Sequence, residues 1–554
     1  MTGFTLNQFG GKAPKISPRV LPPNMAQKAT NVRLDSGRLD PWKGNATAST
    51  GTATVQGTIN NQTKTIFKYS DSLWIARNYD ADYARSPIAE DPHERIYVTD
   101  YIDTESGNYP RMTTSSIAGS GTYYRLGMPS PSNLNTTTLS PASSGVQDEE
   151  TPKNRSYVYT YVSAYGEEGE PSVPQLNNVV EIYSDQTATV NFGSHDGDNH
   201  NIQYKRIYRT DANGDFRFVA DVALNASSYE DDVADENLGE VIPTSSFVAP
   251  PDEVSADHPS GPMRGLTPLP NGVFAGFSGK TILFSEPFQP HAYPEEYRLT
   301  VKTDIVSLAP LQNGLLVLTK GKPALITGSE PAYMSMTEID STLSCVSKRS
   351  VVDTGDAVFY ASPDGLVVAS ETGVSLATES LFTREQWQEL SPESITGFAW
   401  EGHYVGFYST DTESRGFVFD PRGGANSFID LSFHATAGFT DFENDVLYLV
   451  VGGNLVTFGQ GDDLSYTWKT KKFYVPRPIN PAVAKVDCDS YGDGVVFRLY
   501  TGGNSTPVYS LTVQNGSLFR LPSGYKDNEF EIQLEASVPI NEVCVYESAE
   551  EIGG

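Results

Sequence analysis

Apolar residues alternate with polar ones in short runs along almost the whole chain. "TKTIFKYSDSLWIAR" (63–77), "GVFAGFSGKTILFSE" (272–286), "GLLVLTKGKPALITG" (314–328), "DAVFYASPDGLVVAS" (356–370) and "GHYVGFYS" (402–409) share one pattern. Each sets β-branched or aromatic side chains at every second position and breaks at a turn of the NG, SG, KG or DG kind, the signature of strands joined in hairpins. Helical spacing is scarce. Its best case is "SLFTREQWQELSPES" (380–394), where Leu381, Trp387 and Leu390 share a face and Ser391-Pro392 ends the run. The pattern predicts a nearly all-β protein.

The runs repeat. Leu266, Val306, Val351, Ile395 and Ala437 each begin a similar unit of a short strand, a turn and further strands. The spacing of roughly 40–45 residues is that of a four-stranded propeller blade. Sandwich stacking would give short strands as well. Residues 65–99 read as one more blade before an interruption. That interruption, about 150–246, alternates Tyr157, Tyr159 and Tyr161, turns at Gly166-Glu167-Glu168-Gly169, and continues with Tyr204, Ile207 and Tyr208 in one strand and Phe216 and Phe218 in the next. It reads as a fibronectin type III-like sandwich, with its tyrosines as core. From about 461 a further β domain follows, in which Phe530, Ile532 and Leu534 face Val543 and Val545 across a sandwich. The expected layout is an extended basic arm (1–50), first blade or blades and linker (51–149), an inserted sandwich (150–246), blades (247–460) and a C-terminal β domain (461–554). Trp74, Trp387, Trp400 and Trp468 are expected to fill cores.

Composition narrows the chemistry. The 554 residues carry a formal charge of −30, with 69 acids against 39 Lys and Arg. That balance opposes a protein that grips phosphates. No run of 18 apolar residues crosses a membrane, and "MTGFTLNQFGGK" lacks the cationic start and apolar core of a secretory signal. Three scattered cysteines, Cys345, Cys488 and Cys544, make no disulfide framework or zinc site and fit reduced, buried thiols in a reducing cytoplasm.

Candidate chemistry is thin. GxSxG, Walker, HExxH and helix-opening GxGxxG motifs are all missing from the sequence. "SHDGDNH" (194–200) gathers His195, Asp196, Asp198 and His200, but its spacing is not an EF-hand's, and a solvated turn is the plainer reading. "YEDDVADE" (229–236) reads as a surface acid cluster or a cation or partner site. "FSEPFQPHAYPEEY" (284–297) reads as a rigid exposed loop. No enzyme and no cofactor are expected.

The opening holds a puzzle. "GGKAPKISPRVLPPNMAQKATNVRLDSGRLDPWKG" (10–44) puts Lys12, Lys15, Arg19, Lys28, Arg33, Arg38 and Lys43 against Asp35 and Asp40 in an otherwise acidic chain. Pro14, Pro18, Pro22 and Pro23 keep it extended. This stretch resembles the start of podovirus tail proteins, with its Gly-Gly, "A-x-x-A-x-N-V" and "G-x-L-x-P". "YRLGMPSPS" (124–132), "ILFSEPFQPHAYPEEYRL" (282–299), "DIVSLAPLQNGLLVLTKGKPALITGSEP" (304–331), "YTWKTKKF" (466–473) and "FRLPSGY" (519–525) resemble further pieces of the same family in the same order. The family is the tail nozzle proteins of short-tailed phages, tail tubular protein B-like and related to needle-hub and DNA-stabilisation proteins.

The resemblance implies a non-enzymatic virion protein, assembled in the host bacterial cytoplasm. It implies a hexameric ring below the adaptor ring, meeting a fibre, spike or needle, through which duplex DNA passes without tight binding. The inserted sandwich departs from many members. Acidic walls would repel phosphate over a Debye length of about 8 Å. The arm is then expected to reach a neighbouring subunit or ring, with Arg19, Val20, Leu21, Arg33, Leu34 and Trp42 as contacts and Val32 as a further anchor. Two other classes fit less well: a trimeric receptor- or carbohydrate-binding adhesin with a shallow aromatic site near Tyr157 to Tyr208, and a capsule-degrading propeller enzyme.

Overall fold

The computed structural model describes residues 3–48, 53–101, 108–131, 136–173, 179–193, 195, 199–424 and 428–551. The fold is all-β and is made of many small, mostly antiparallel sheets. The chain divides into two compact units, one comprising 1–78, 318–323 and 338–554 and the other 79–317 and 324–337.

In the first unit, two four-stranded meanders begin at Val352–Asp353 and Thr396–Trp400. A third begins at Ala437–Asp441 and takes its fourth strand, Ala46–Thr47, from near the start of the chain. The second unit holds meanders beginning at Asp80–Arg85, Arg264–Pro268 and Ile305–Leu311. The repeat positions read from the sequence thus fall on or beside first strands, because alternation is written locally in each strand. Cores lie between successive sheets. Phe359, Trp387, Phe417 and Phe428 fill one such layer, and Phe277, Phe284, Leu315 and Ile326 another.

Residues 65–99 are not one blade. Thr65–Ser70 and Leu73–Arg77 pair with each other, and Thr54–Gln56 adds in parallel to the second of them, while Ile96–Tyr101 belongs to the meander beginning at Asp80. The hairpin finds its third strand upstream, and the sequence pattern had no way to show that pairing.

Between the first two meanders of the second unit lies the insertion. Two three-stranded sheets and a two-stranded one share a core of Tyr157, Ile182, Val190, Ile207 and Val219. In the first unit the C-terminal strands form two sheets over one core, with Phe530, Ile532 and Leu534 on one and Val543 and Val545 on the other, as their alternation predicts.

The helical reading also holds. Arg384–Gln388 is an α-helix, and Thr383 and Gln386 form a capping box that satisfies its first amides. Trp387 is fully buried and donates its indole N–H to Ser362 O at 2.9 Å. Ser144–Glu149 forms a second short helix that no pattern announced.

Candidate functional site

The opening arm does not stand free. Phe4–Leu6 pairs antiparallel with Glu542–Tyr546, joining the two ends of the chain in one sheet. Ala26–Thr30 lies between Phe428–Leu431 of a meander and Tyr466–Thr470 of the C-terminal domain, and fuses both into one ten-stranded sheet. Side chains lock this course. Phe9 meets Trp468 edge-on at 5.0 Å, and the Trp468 indole N–H donates to Gly10 O at 2.9 Å. Phe4 stacks on Phe473 at 4.3 Å. Backbone bonds add Lys12 N to Phe428 O, Lys15 N to Leu381 O and Lys472 N to Pro18 O.

Four of the arm's seven cations face acids of their own chain. Lys12 Nζ reaches both carboxylate oxygens of Asp430 at 2.7 and 2.8 Å. Arg38 pairs with Asp40 and Asp489, and Lys43 with Asp463. Arg33 pairs with Asp35 at 2.6 Å and Glu401 at 3.2 Å, and its guanidinium lies over Trp42 and Trp400. Four of the seven cations in the basic stretch are thus matched within the chain, and Lys15 donates to the Glu379 carbonyl.

The six expected contact residues therefore separate. Leu21, Leu34 and Trp42 are buried in the first unit, and so is Val32; they pack the chain's own core and offer no surface to a neighbour. Arg33 is committed to the Trp42–Trp400 cluster. Arg19 and Val20 remain outside. Val20 is 70% exposed, and the Arg19 guanidinium sits 3.9 Å above the ring of Tyr474, itself 49% exposed. Tyr474 went unnoticed in the sequence, although "FYVPRPI" leaves it opposite the inward residues of a proline-rich strand.

Other sequence candidates are also relocated. Most of the "YEDDVADE" cluster lies at the surface, as expected, but Asp231 does not. The Asp231 side chain is fully buried between Tyr157 Oη, which donates to it at 2.6 Å, and the equally buried Arg209, while Asp235 accepts from Arg209, Arg155 and Lys153. A buried charge needs such a partner. The Gly166–Gly169 turn is likewise internal. Glu167 accepts from Arg95 at 3.0 Å, and Glu168 accepts from Thr160, Tyr208 and Arg206. A Cβ on Gly169 would come within 2.5 Å of Met128, so only glycine lets the backbone pass there. Within "FSEPFQPHAYPEEY", Ser285, His291, Ala292 and Tyr293 are buried, and His291 Nε2 lies 3.1 Å from Glu168 O. Burial lowers the His291 pKa, so the neutral ring donates this bond.

Ser194, Asp196 and Asp198 of "SHDGDNH" lie outside the described residues. His200 Nδ1 contacts Gly127 O at 2.7 Å, and His195 packs on Tyr161. Among the described residues no group of three or more His, Cys, Asp or Glu is placed to hold a metal. Tyr157, Tyr159, Tyr161 and Tyr208 are all buried, leaving no shallow aromatic platform along them. The three cysteines are free, and burial pushes Cys345 and Cys488 up to about 12 and Cys544 up to about 11. Among the described residues no helix is long and apolar enough to cross a membrane.

No family profile matches the sequence, and no curated protein matches it either. Among solved structures, the chain is similar to BBS1N in complex with ARL6DN at 12% identity and a TM-score of 0.27, over 75% of this chain and 96% of that one. PorZ, a bacterial surface component of the type-IX secretion system of Porphyromonas gingivalis, is similar at 10% identity and a TM-score of 0.26, over 77% and 63%. Likenesses this weak carry no functional argument.

Proposed function

We propose that this chain is a structural subunit of a short-tailed phage tail, a nozzle of the tail tubular protein B kind. In this reading the meanders are blades of a propeller-like core, the insertion is a fibronectin type III-like sandwich and the C-terminal sheets are a closing sandwich. Six copies form a ring below the adaptor ring, contact a fibre, spike or needle, and conduct the genome without chemistry or cofactor. The observation that supports it most is the pairing of Ala26–Thr30 with Tyr466–Thr470. Two stretches that resemble the nozzle family, some 440 residues apart, prove to be adjacent strands of one sheet. They belong to one architectural element, which is what a family resemblance spread along the chain requires.

Of the six expected contacts, Arg19 and Val20 are left to meet a neighbour, together with Tyr474 beneath Arg19. Light scattering and negative-stain imaging of the purified chain test the proposal. A six-fold ring with a central hole supports it. A trimer points to an adhesin, and a monomer that retains duplex DNA at ordinary ionic strength refutes it.

A further inference from the structure

The insertion's strand Ile202–Thr210 carries two buried cations of unlike fate. Alternation turns Lys205, Ile207 and Arg209 to the same inward side. Arg209 meets Asp231 and Asp235 there. Lys205, set opposite Tyr161 and Val222 and only 1% exposed, meets no carboxylate among the described residues. Its Nζ donates to Ala226 O at 2.9 Å and lies 4.9 Å from the centre of the Phe192 ring. A carbonyl and an aromatic face ease the burial of a charge without neutralising it. Burial accordingly lowers the Lys205 pKa. An ammonium offers three N–H donors, and Ala226 O takes one of them.

Lys205 lines a cavity of about 640 Å³, beside the turn where the chain crosses from one three-stranded sheet of the insertion to the other. Phe192, Leu224 and the ring of His195, which packs on Tyr161 at 5.0 Å, give it apolar walls. Gln203 and Asn225 add exposed amides. Among the described residues the lining includes no Asp or Glu, in a chain with 69 acids. The volume suits a small molecule. One buried ammonium with donors to spare, between flat apolar walls, selects a single negative charge on an apolar ring. A carboxylate there accepts from Lys205 Nζ in a charge-assisted bond, while the ring displaces water from Phe192 and Leu224.

We propose that this cavity binds a small aromatic carboxylate, with Lys205 as its counter-charge. The site goes beyond the tail reading and stands whether or not that reading holds. Isothermal titration of the full chain with phenylacetate at neutral pH, at ionic strength fixed with chloride, tests it, with 2-phenylethanol as the uncharged analogue. One saturable site per chain is expected for phenylacetate, and at least tenfold weaker binding of the alcohol. Lys205→Met keeps most of the apolar stem, removes the charge and weakens binding at least tenfold. Asn225→Asp changes an exposed residue, spares the core and sets a rival carboxylate on the wall, weakening binding at least threefold. Lys153→Gln, at a lysine of the same insertion that is 69% exposed and does not line this cavity, leaves binding unchanged. Absence of saturable heat, equal binding of the alcohol, or wild-type affinity in either wall variant overturns the proposal.

Discussion

If the opening arm is a strap within its own subunit, removing its anchor must cost folding stability in the isolated chain. Phe9 is the sharpest test. It is buried, lies edge-on to Trp468 at 5.0 Å and sits in the same core as Phe497, Ile532 and Leu534. Phe9→Ala loses the transfer energy of the ring and leaves a cavity that its strand neighbours cannot collapse into. Substitutions of this kind cost about 3–5 kcal/mol. Edge-on aromatic pairing accounts for about 0.5–1.5 kcal/mol of that. Val20→Ala is the matched control in the same arm, because at 70% exposure it should stay within about 0.5 kcal/mol of wild type. Urea unfolding followed by tryptophan fluorescence reads both, since Trp468 reports the transition that Phe9 supports. All five tryptophans lie in the first unit with Phe9, so the signal follows that unit's transition. A Phe9→Ala loss below about 1 kcal/mol would refute the docked arm and return it to a partner.

Four further outcomes follow from specific contacts. Asp231→Asn leaves Arg209 buried without its counter-charge and should destabilise the insertion by about 3–5 kcal/mol, read by urea unfolding. Burial depresses His291 below its usual value of 6.5. The unfolded chain therefore binds the extra proton first. The stability His291 contributes is complete above about pH 6.5 and falls as pH drops toward the depressed value, so His291→Gln should flatten the fall in melting temperature between pH 7 and 5. The buried, high-pKa thiols of Cys345 and Cys544 should resist a thiol reagent at pH 8 in the native protein and react fully in urea. Tyr474→Ala should leave the melting temperature of the isolated chain within a few degrees while weakening ring assembly in light scattering. Intact assembly would remove Arg19, Val20 and Tyr474 from the interface.

Strand content, the positions of the repeating meanders and the capped helix were legible because each is encoded over a few neighbouring residues. The Thr383–Gln386 box and the alternation of Phe530, Ile532 and Leu534 need no distant partner to be recognised. The destination of the arm was not legible. Lys12 finds Asp430, Phe9 finds Trp468 and Phe4 pairs with Val545, all separated by more than 400 residues. Exposed, extended and basic was the natural reading of a proline-rich stretch whose partners are that remote. One member of the otherwise exposed acid cluster was misread for a related reason. Asp231 looked solvated in its loop, yet Arg209, which the register sets opposite Tyr157, makes it part of a buried pair. An arginine in the strand run "YKRIYRT" was the signal available, because a charge placed inward needs an opposite one.

The internal use of the arm also bears on the net charge. Four of its seven cations, Lys12, Arg33, Arg38 and Lys43, are spent on Asp430, Asp40, Asp489, Asp463, Asp35 and Glu401. The buried acids of the insertion, Asp231, Glu167 and Glu168, each have an arginine partner. Matched pairs of this kind contribute little field at a distance. Most of the described acids behind the imbalance of −30 lie toward solvent. A polyanion approaching this surface meets repulsion within a Debye length of about 8 Å at physiological salt. On the proposed reading, such a surface lets DNA pass without holding it.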